Sequence, residues 1–131
     1  MIAAKQGKIV NVASISGKVG FDGEGAYAPS KFAVMGLTQV LALELAKYNI
    51  NVNAVCPGIV CTPMWEELLV TMSRREGVPR DRIFDKWCEL IPLRRPQTPE
   101  DIANVVLFLG SEVSRNLTGE AISVNGGMRM D

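Results

Sequence analysis

Lys8-Ile-Val-Asn-Val-Ala13-Ser14-Ile-Ser-Gly17 is the stretch on which the fold turns. Its first six residues are dense in β-branched side chains, and Ser14, Ser16 and four glycines follow through Gly25. A buried strand over 8–13 that runs into a glycine-rich loop accounts for both halves. Downstream, Phe32, Ala33, Leu37, Val40, Leu41 and Leu45 recur at helical spacing, and Pro29 suits a first helical turn. The spacing predicts a long helix over 30–48 with Phe32, Leu37 and Val40 among its apolar residues.

A second β-branched run, Asn51-Val-Asn-Ala-Val-Cys56, ends sharply at Pro57-Gly58. Residues 63–91 differ in character, with two tryptophans, the cluster Arg74-Arg75-Glu76 and a Gly77-Val-Pro79 break. Two short amphipathic helices joined by a turn are predicted there. Thr98-Pro99-Glu100-Asp101 combines a capping hydroxyl, a proline at the first helical position and two acids in the first turn, a helix start. That helix should reach about Ser111, and Glu120–Val124 should form a third strand before Asn125-Gly126-Gly127. Strands separated by helical connections predict an α/β fold with parallel pairing and right-handed crossovers.

Composition sets outer limits. The 131 residues suit one domain, 47% of them are hydrophobic, and fourteen basic residues balance fourteen acidic ones. Such balance gives no electrostatic argument for nucleic acid or a membrane surface, and favours a small molecule or a second copy as partner. There is no histidine, and Cys56, Cys61 and Cys88 form no CxxC. Common zinc sites and Ser-His or Cys-His nucleophiles are thereby excluded, and no metal is expected. Free thiols and an N-terminus without an apolar signal core point to the cytoplasm.

Tyr27 and Lys31 lie four residues apart, so on a helix they share a face. A phenol with pKa ~10 is a poor acid-base group at neutral pH, and an adjacent cation favours its phenolate. A tyrosine so placed can pass a proton to or from a carbonyl or alcohol oxygen while hydride moves at the carbon. Alone, the pair reads more readily as a surface pair. Ser14, at the end of the first strand, stands where open α/β sheets place their ligand crevice, although Ser16 competes for the same role. Pro57, Gly58, Ile59, Val60 and Thr62 follow the second strand at the same sheet edge. They can offer backbone groups to a flat ligand and a hydroxyl to an amide, or merely end a strand.

Asn11-Val-Ala-Ser14-Ile-Ser-Gly17, Tyr27-Ala-Pro-Ser-Lys31, Ile50 through Thr62 and Thr118-Gly119 through Gly126-Gly127 together resemble the short-chain dehydrogenase/reductase family in order and spacing. The resemblance covers essentially the whole chain. It implies that Ser14 orients the substrate oxygen and that Tyr27 is the acid/base. Lys31 would tune Tyr27 and bind the nicotinamide ribose. Pro57, Gly58, Ile59 and Val60 would line the nicotinamide, Thr62 its carboxamide, and 63–91 would be the substrate lid. The cofactor so implied is NAD or NADP, NAD ahead of NADP. Cys-Pro-Gly-Ile-Val-Cys-Thr-Pro-Met64-Trp65 with a polar lid most resembles the acetoin/diacetyl reductase and polyol dehydrogenase branch. Trp65 is a candidate substrate wall, with plain packing the stronger reading.

Family members are about twice this length and open with a glycine-rich strand-to-helix turn for the pyrophosphate. Gly17, Gly20, Gly23 and Gly25 follow the Ser14 strand and open no such helix. The expectation is therefore one partial domain over 1–131, the C-terminal half of a Rossmann-like doubly wound parallel sheet of about three strands, with Met1 an internal methionine. The expected activity is interconversion of a secondary alcohol and a ketone. A full-length form would be a homo-oligomer, dimer or tetramer. The competing expectation is an inactive fragment that keeps only self-association or homologue-pairing surfaces.

Overall fold

A computed structural model describes residues 1–130. The first strand, β1 (Gly7–Val12), leads through a 3-10 turn at Ile15–Gly17 to helix α1 (Tyr27–Leu45). Strand β2 (Ile50–Pro57), the helical hairpin α2 (Pro63–Glu76) and α3 (Arg80–Glu89), helix α4 (Pro99–Gly110) and strand β3 (Ala121–Val124) follow. The strands form one parallel sheet in the order β1-β2-β3. Observed bounds differ from the sequence reading by a residue or so at the strands. The exception is α1, which begins at Tyr27, and whose last turn tightens to 3-10 geometry at Ala46–Tyr48.

Register fixes what faces what. Val12 pairs with Val55 and Pro57 with Val124, so β1, β2 and β3 end at one edge of the sheet. On the α1 face, Ala13, Ala54 and Cys56 pack with Val34 and Met35, and Ala42, Ile50 and Val52 pack with Ile9, Leu41 and Leu45. Helix α4 packs against all three strands. It starts in a full capping box, in which the Thr98 side chain accepts from the Asp101 amide and the Asp101 carboxylate accepts from the Thr98 amide.

Two features depart from the sequence reading. The centre of the α1 seam is polar: Thr38 is 1% exposed and its hydroxyl accepts from the Asn11 amide at 2.9 Å. Conversely Phe32, Leu37 and Val40 point outward at 47%, 52% and 51% exposure. Helix α1 is apolar nearly all round, so periodicity alone could not choose the side that meets the sheet. The sheet chose the smaller side chains.

Close approach needs glycine at one point. A Cβ on Gly17 would stand 2.8 Å from the Lys31 carbonyl oxygen, so only a bare α-carbon lets the turn after β1 rest on α1 at Lys31. Across the sheet, Asn53 is 1% exposed; its oxygen accepts from the Glu120 amide and its nitrogen donates to the Leu117 carbonyl. It thereby ties β2 to the segment that enters β3.

Asn53→Ala leaves the Glu120 amide without its partner, while the Leu117 carbonyl keeps its bond from Asn51; at about 1–3 kcal/mol for one such group, urea denaturation should show a loss of that size, and an unchanged midpoint would remove Asn53 from this role. Gly17→Ala should cost about 1–3 kcal/mol by overpacking, whereas Gly20→Ala, with nothing within 4 Å of the added carbon, should be near neutral in the same assay.

Candidate active site

The carboxyl ends of parallel strands are where open α/β sheets bind ligands, and the sequence-derived residues meet that edge. Ser14 follows β1, Pro57 to Thr62 follow β2, and Asn125 follows β3. The Ala13 amide donates to the Val55 carbonyl at 2.8 Å and the Gly58 amide to the Val124 carbonyl at 3.1 Å, so pairing continues to the rim.

Ser14 is extended, 8% exposed, and caps the 3-10 turn, its oxygen accepting from the Ser16 amide at 3.1 Å. That bond uses a lone pair and leaves the hydroxyl proton to donate elsewhere. Ser16, the competitor, is 3% exposed, and its hydroxyl donates to the Glu24 carboxylate at 2.5 Å. Glu24 also accepts from the Phe21 amide, so it braces the glycine-rich loop around Ser16. Ser16 is a strut.

Tyr27 is the first residue of α1 and is 39% exposed. Lys31 lies one turn on, with its ammonium 5.6 Å from the Tyr27 ring centroid and donating to the Val12 carbonyl at 3.2 Å. Successive backbone groups of a strand point to opposite sides. Since the Ala13 amide faces β2, the Val12 carbonyl faces the outer edge of β1, and Lys31 occupies it. Helix α1 thus holds Lys31, with Tyr27 one turn before it, against the end of the strand that delivers Ser14.

The segment after β2 is clamped from below. The Gln97 amide donates to the Ile59 carbonyl at 2.8 Å and the Cys61 amide donates to the Gln97 carbonyl at 3.0 Å, a parallel bridge between Val60 and Gln97. A Cβ on Gly58 would lie 2.8 Å from the Asn125 Cβ and 2.9 Å from the Gln97 side-chain oxygen. Glycine there lets Pro57 to Val60 sit flat on the rim. Thr62 is the N-cap of α2, yet its hydroxyl makes no capping bond. It is spare to meet a ligand.

Trp65 sits in the first turn of α2 and meets Trp87 of α3 edge to face, ring centroids 5.9 Å apart and planes at 88°. Its indole nitrogen is buried without a partner. The contact favours packing, as the sequence reading preferred, and closes the open end of the α2–α3 hairpin. Gln97, Asn125, Gly17 and Glu24 position the site without carrying chemistry. Only tertiary contact shows them, because a glutamine before a helix cap has no sequence signature.

Known proteins resemble this chain along nearly its whole length. A family profile described as enoyl-(acyl carrier protein) reductase matches residues 1–129. The chain is 47% identical over 123 residues to L-2,3-butanediol dehydrogenase of Corynebacterium glutamicum, covering 94% of this chain and 48% of that protein. It is 46% identical over 123 residues to a Staphylococcus aureus diacetyl reductase, the (S)-acetoin-forming kind, at 94% and 48% coverage. The actinorhodin polyketide ketoreductase, solved with NADPH, superposes with a TM-score of 0.93 at 38% identity, covering 98% of this chain and 49% of the other. The chain therefore spans about half the length of the relatives it matches. Fold, rim geometry and matched residues lead to one assignment: the chain belongs to the short-chain dehydrogenase/reductase family.

Proposed function

We propose that the protein of which this chain forms the catalytic half interconverts a secondary alcohol and a ketone by hydride transfer with NAD or NADP. The observation that carries the reading is Lys31 anchored at the end of β1 beside Tyr27, one helical turn away, at the rim that also holds Ser14. Nicotinamide dinucleotide, when bound, supplies or accepts the hydride.

In the reducing direction Ser14 donates its unused proton to the substrate carbonyl oxygen and holds it in place. Tyr27 passes its phenolic proton to that oxygen as the carbon takes up hydride, and the reverse reaction returns it. Lys31 places a positive charge beside the phenolate so formed. Lys31 would hold the cofactor's ribose by exchanging the Val12 carbonyl for it. Pro57, Gly58, Ile59 and Val60 would provide the flat wall for the nicotinamide, and Thr62 would hold its carboxamide. The hairpin 63–91 closes over the substrate, with Trp65 packed into it. Butanediol and diacetyl, named for two relatives, make a small diol or hydroxyketone the first substrate class to test.

A second reading has its own support. Phe32, Leu37, Val40 and Leu43 on α1, and Leu107 and Phe108 on α4, are all exposed, apolar side chains that a second subunit could cover. The outer edge of β1 is a further surface for pairing. On this reading the chain by itself is inactive and retains association surfaces, with a homo-oligomer or a homologue as partner.

Joined to an N-terminal half from the butanediol relative, the chain should oxidise or reduce nicotinamide with acetoin, diacetyl or a polyol. Tyr27→Phe should lower kcat about 10²–10⁴-fold, the usual worth of a positioned acid/base, with circular dichroism unchanged. Turnover retained in that variant, or absent from a well-folded joined protein with every carbonyl and alcohol tried, would overturn the first reading. For the chain alone, no cofactor binding together with a large oligomer would favour the second.

A further inference from the structure

Thiol placement in the helical hairpin is left unused by the proposed reaction. Helix α2 ends at Gly77, whose φ of +66° turns the chain, and Pro79 starts α3 from an extended conformation, so the two helices run back along each other. Leu69 and Ile83 are buried at 4% and 2% exposure. One helical step outward on each helix, Trp65 meets Trp87. Four residues before Trp65 stands Cys61, exposed, and immediately after Trp87 stands Cys88, half-buried. The open end of the hairpin therefore carries one thiol from each side.

We propose that Cys61 and Cys88 are a reversible oxidation site, forming a disulfide across the open end of the hairpin when a small disulfide such as oxidised glutathione is present. Burial, then the nearby charges of Cys61 and Asp85, push the Cys88 thiol above its ordinary value. Among the described residues no group of three or more His, Cys, Asp or Glu is placed to hold a metal ion. Thiol–disulfide exchange is the chemistry the pair fits.

The exposed Cys61 reacts first. Its thiolate attacks one sulfur of the glutathione disulfide, giving a mixed disulfide and releasing one glutathione thiolate. Cys88 loses its proton to solvent and attacks the Cys61 sulfur, and the second glutathione leaves as thiolate. The protein dithiol is oxidised by two electrons and one glutathione disulfide becomes two thiols. Cα atoms must come within roughly 4.4–6.8 Å for the bond; the Cys61 backbone is held by its amide hydrogen bond to the Gln97 carbonyl, so the approach falls to the last turn of α3. Cys56, at 0% exposure on the α1 face of β2, is held out of the exchange. The bond would fix the end of β2 to the end of α3 and pin the hairpin shut. This inference concerns thiol chemistry and holds whichever reaction the rim carries.

The test is non-reducing peptide mapping of the folded chain after incubation with oxidised glutathione, acid quench and alkylation. Trypsin places Cys61 on residues 48–74 and Cys88 on residues 87–94. The expected result is a cross-linked pair of these peptides, lost on treatment with dithiothreitol, lost in Cys61→Ser and kept in Cys56→Ala. The circular dichroism of each variant is compared with the parent, and a urea-unfolded control should give scrambled links that include Cys56. Glutathione remaining on Cys61 without the cross-link, no modification of either residue, or a cross-link that survives Cys61→Ser would each overturn the proposal.

Discussion

The structure depends on the register of β1 against β2. With Val12 opposite Val55 and the Ala13 amide bonded to the Val55 carbonyl, the chain leaves both strands at the same edge. A slip of one residue would turn Ala13 away from the α1 face and Asn11 away from Thr38, because alternate side chains change faces. The seam that holds α1 would then lose its buried hydrogen bond. Everything at the rim follows from that alignment: Ser14 beyond β1, the Pro57 to Thr62 segment beyond β2, and the Asn125 turn beyond β3.

Rigidity at the rim comes from close backbone approach more than from side-chain chemistry. Gly17 rests on the Lys31 carbonyl, Gly58 rests on Asn125 and Gln97, and Asn125 closes its own turn by accepting from the Gly127 amide and donating to the Arg129 carbonyl. These contacts leave Ser14 with a free proton, Thr62 with a free hydroxyl, and Lys31 on a carbonyl it can leave. A ligand at this edge meets groups that are already placed, which limits the entropy lost on binding.

Much of this was legible in the sequence, and the misreadings share a cause. β-branched runs, the Pro57-Gly58 stop, the Gly77 to Pro79 turn and the Thr98 box each have a local physical signature, and each element lies where it was expected. Tyr27 and Lys31 were readable because helical spacing is itself geometric. Which face of α1 meets the sheet was not readable, since Thr38 and Ala42 beat larger apolar neighbours through fit. That Glu24, eight residues from Ser16 and placed by the loop, engages the Ser16 hydroxyl was not readable either. Arg94 is a similar case: its φ of +55° suits glycine, and its guanidinium donating to the Glu89 carbonyl offsets the strain in a way no local pattern announces.

The functional account comes down to whether α1 holds its lysine against the end of the serine-bearing strand. Nuclear Overhauser spectroscopy on the isotope-labelled chain measures that contact. With the Lys31 nitrogen 3.2 Å from the Val12 oxygen, the ε-methylene protons of Lys31 should show cross-peaks to the protons of Val12. A folded chain in which those protons touch only their own helix and water would contradict the account.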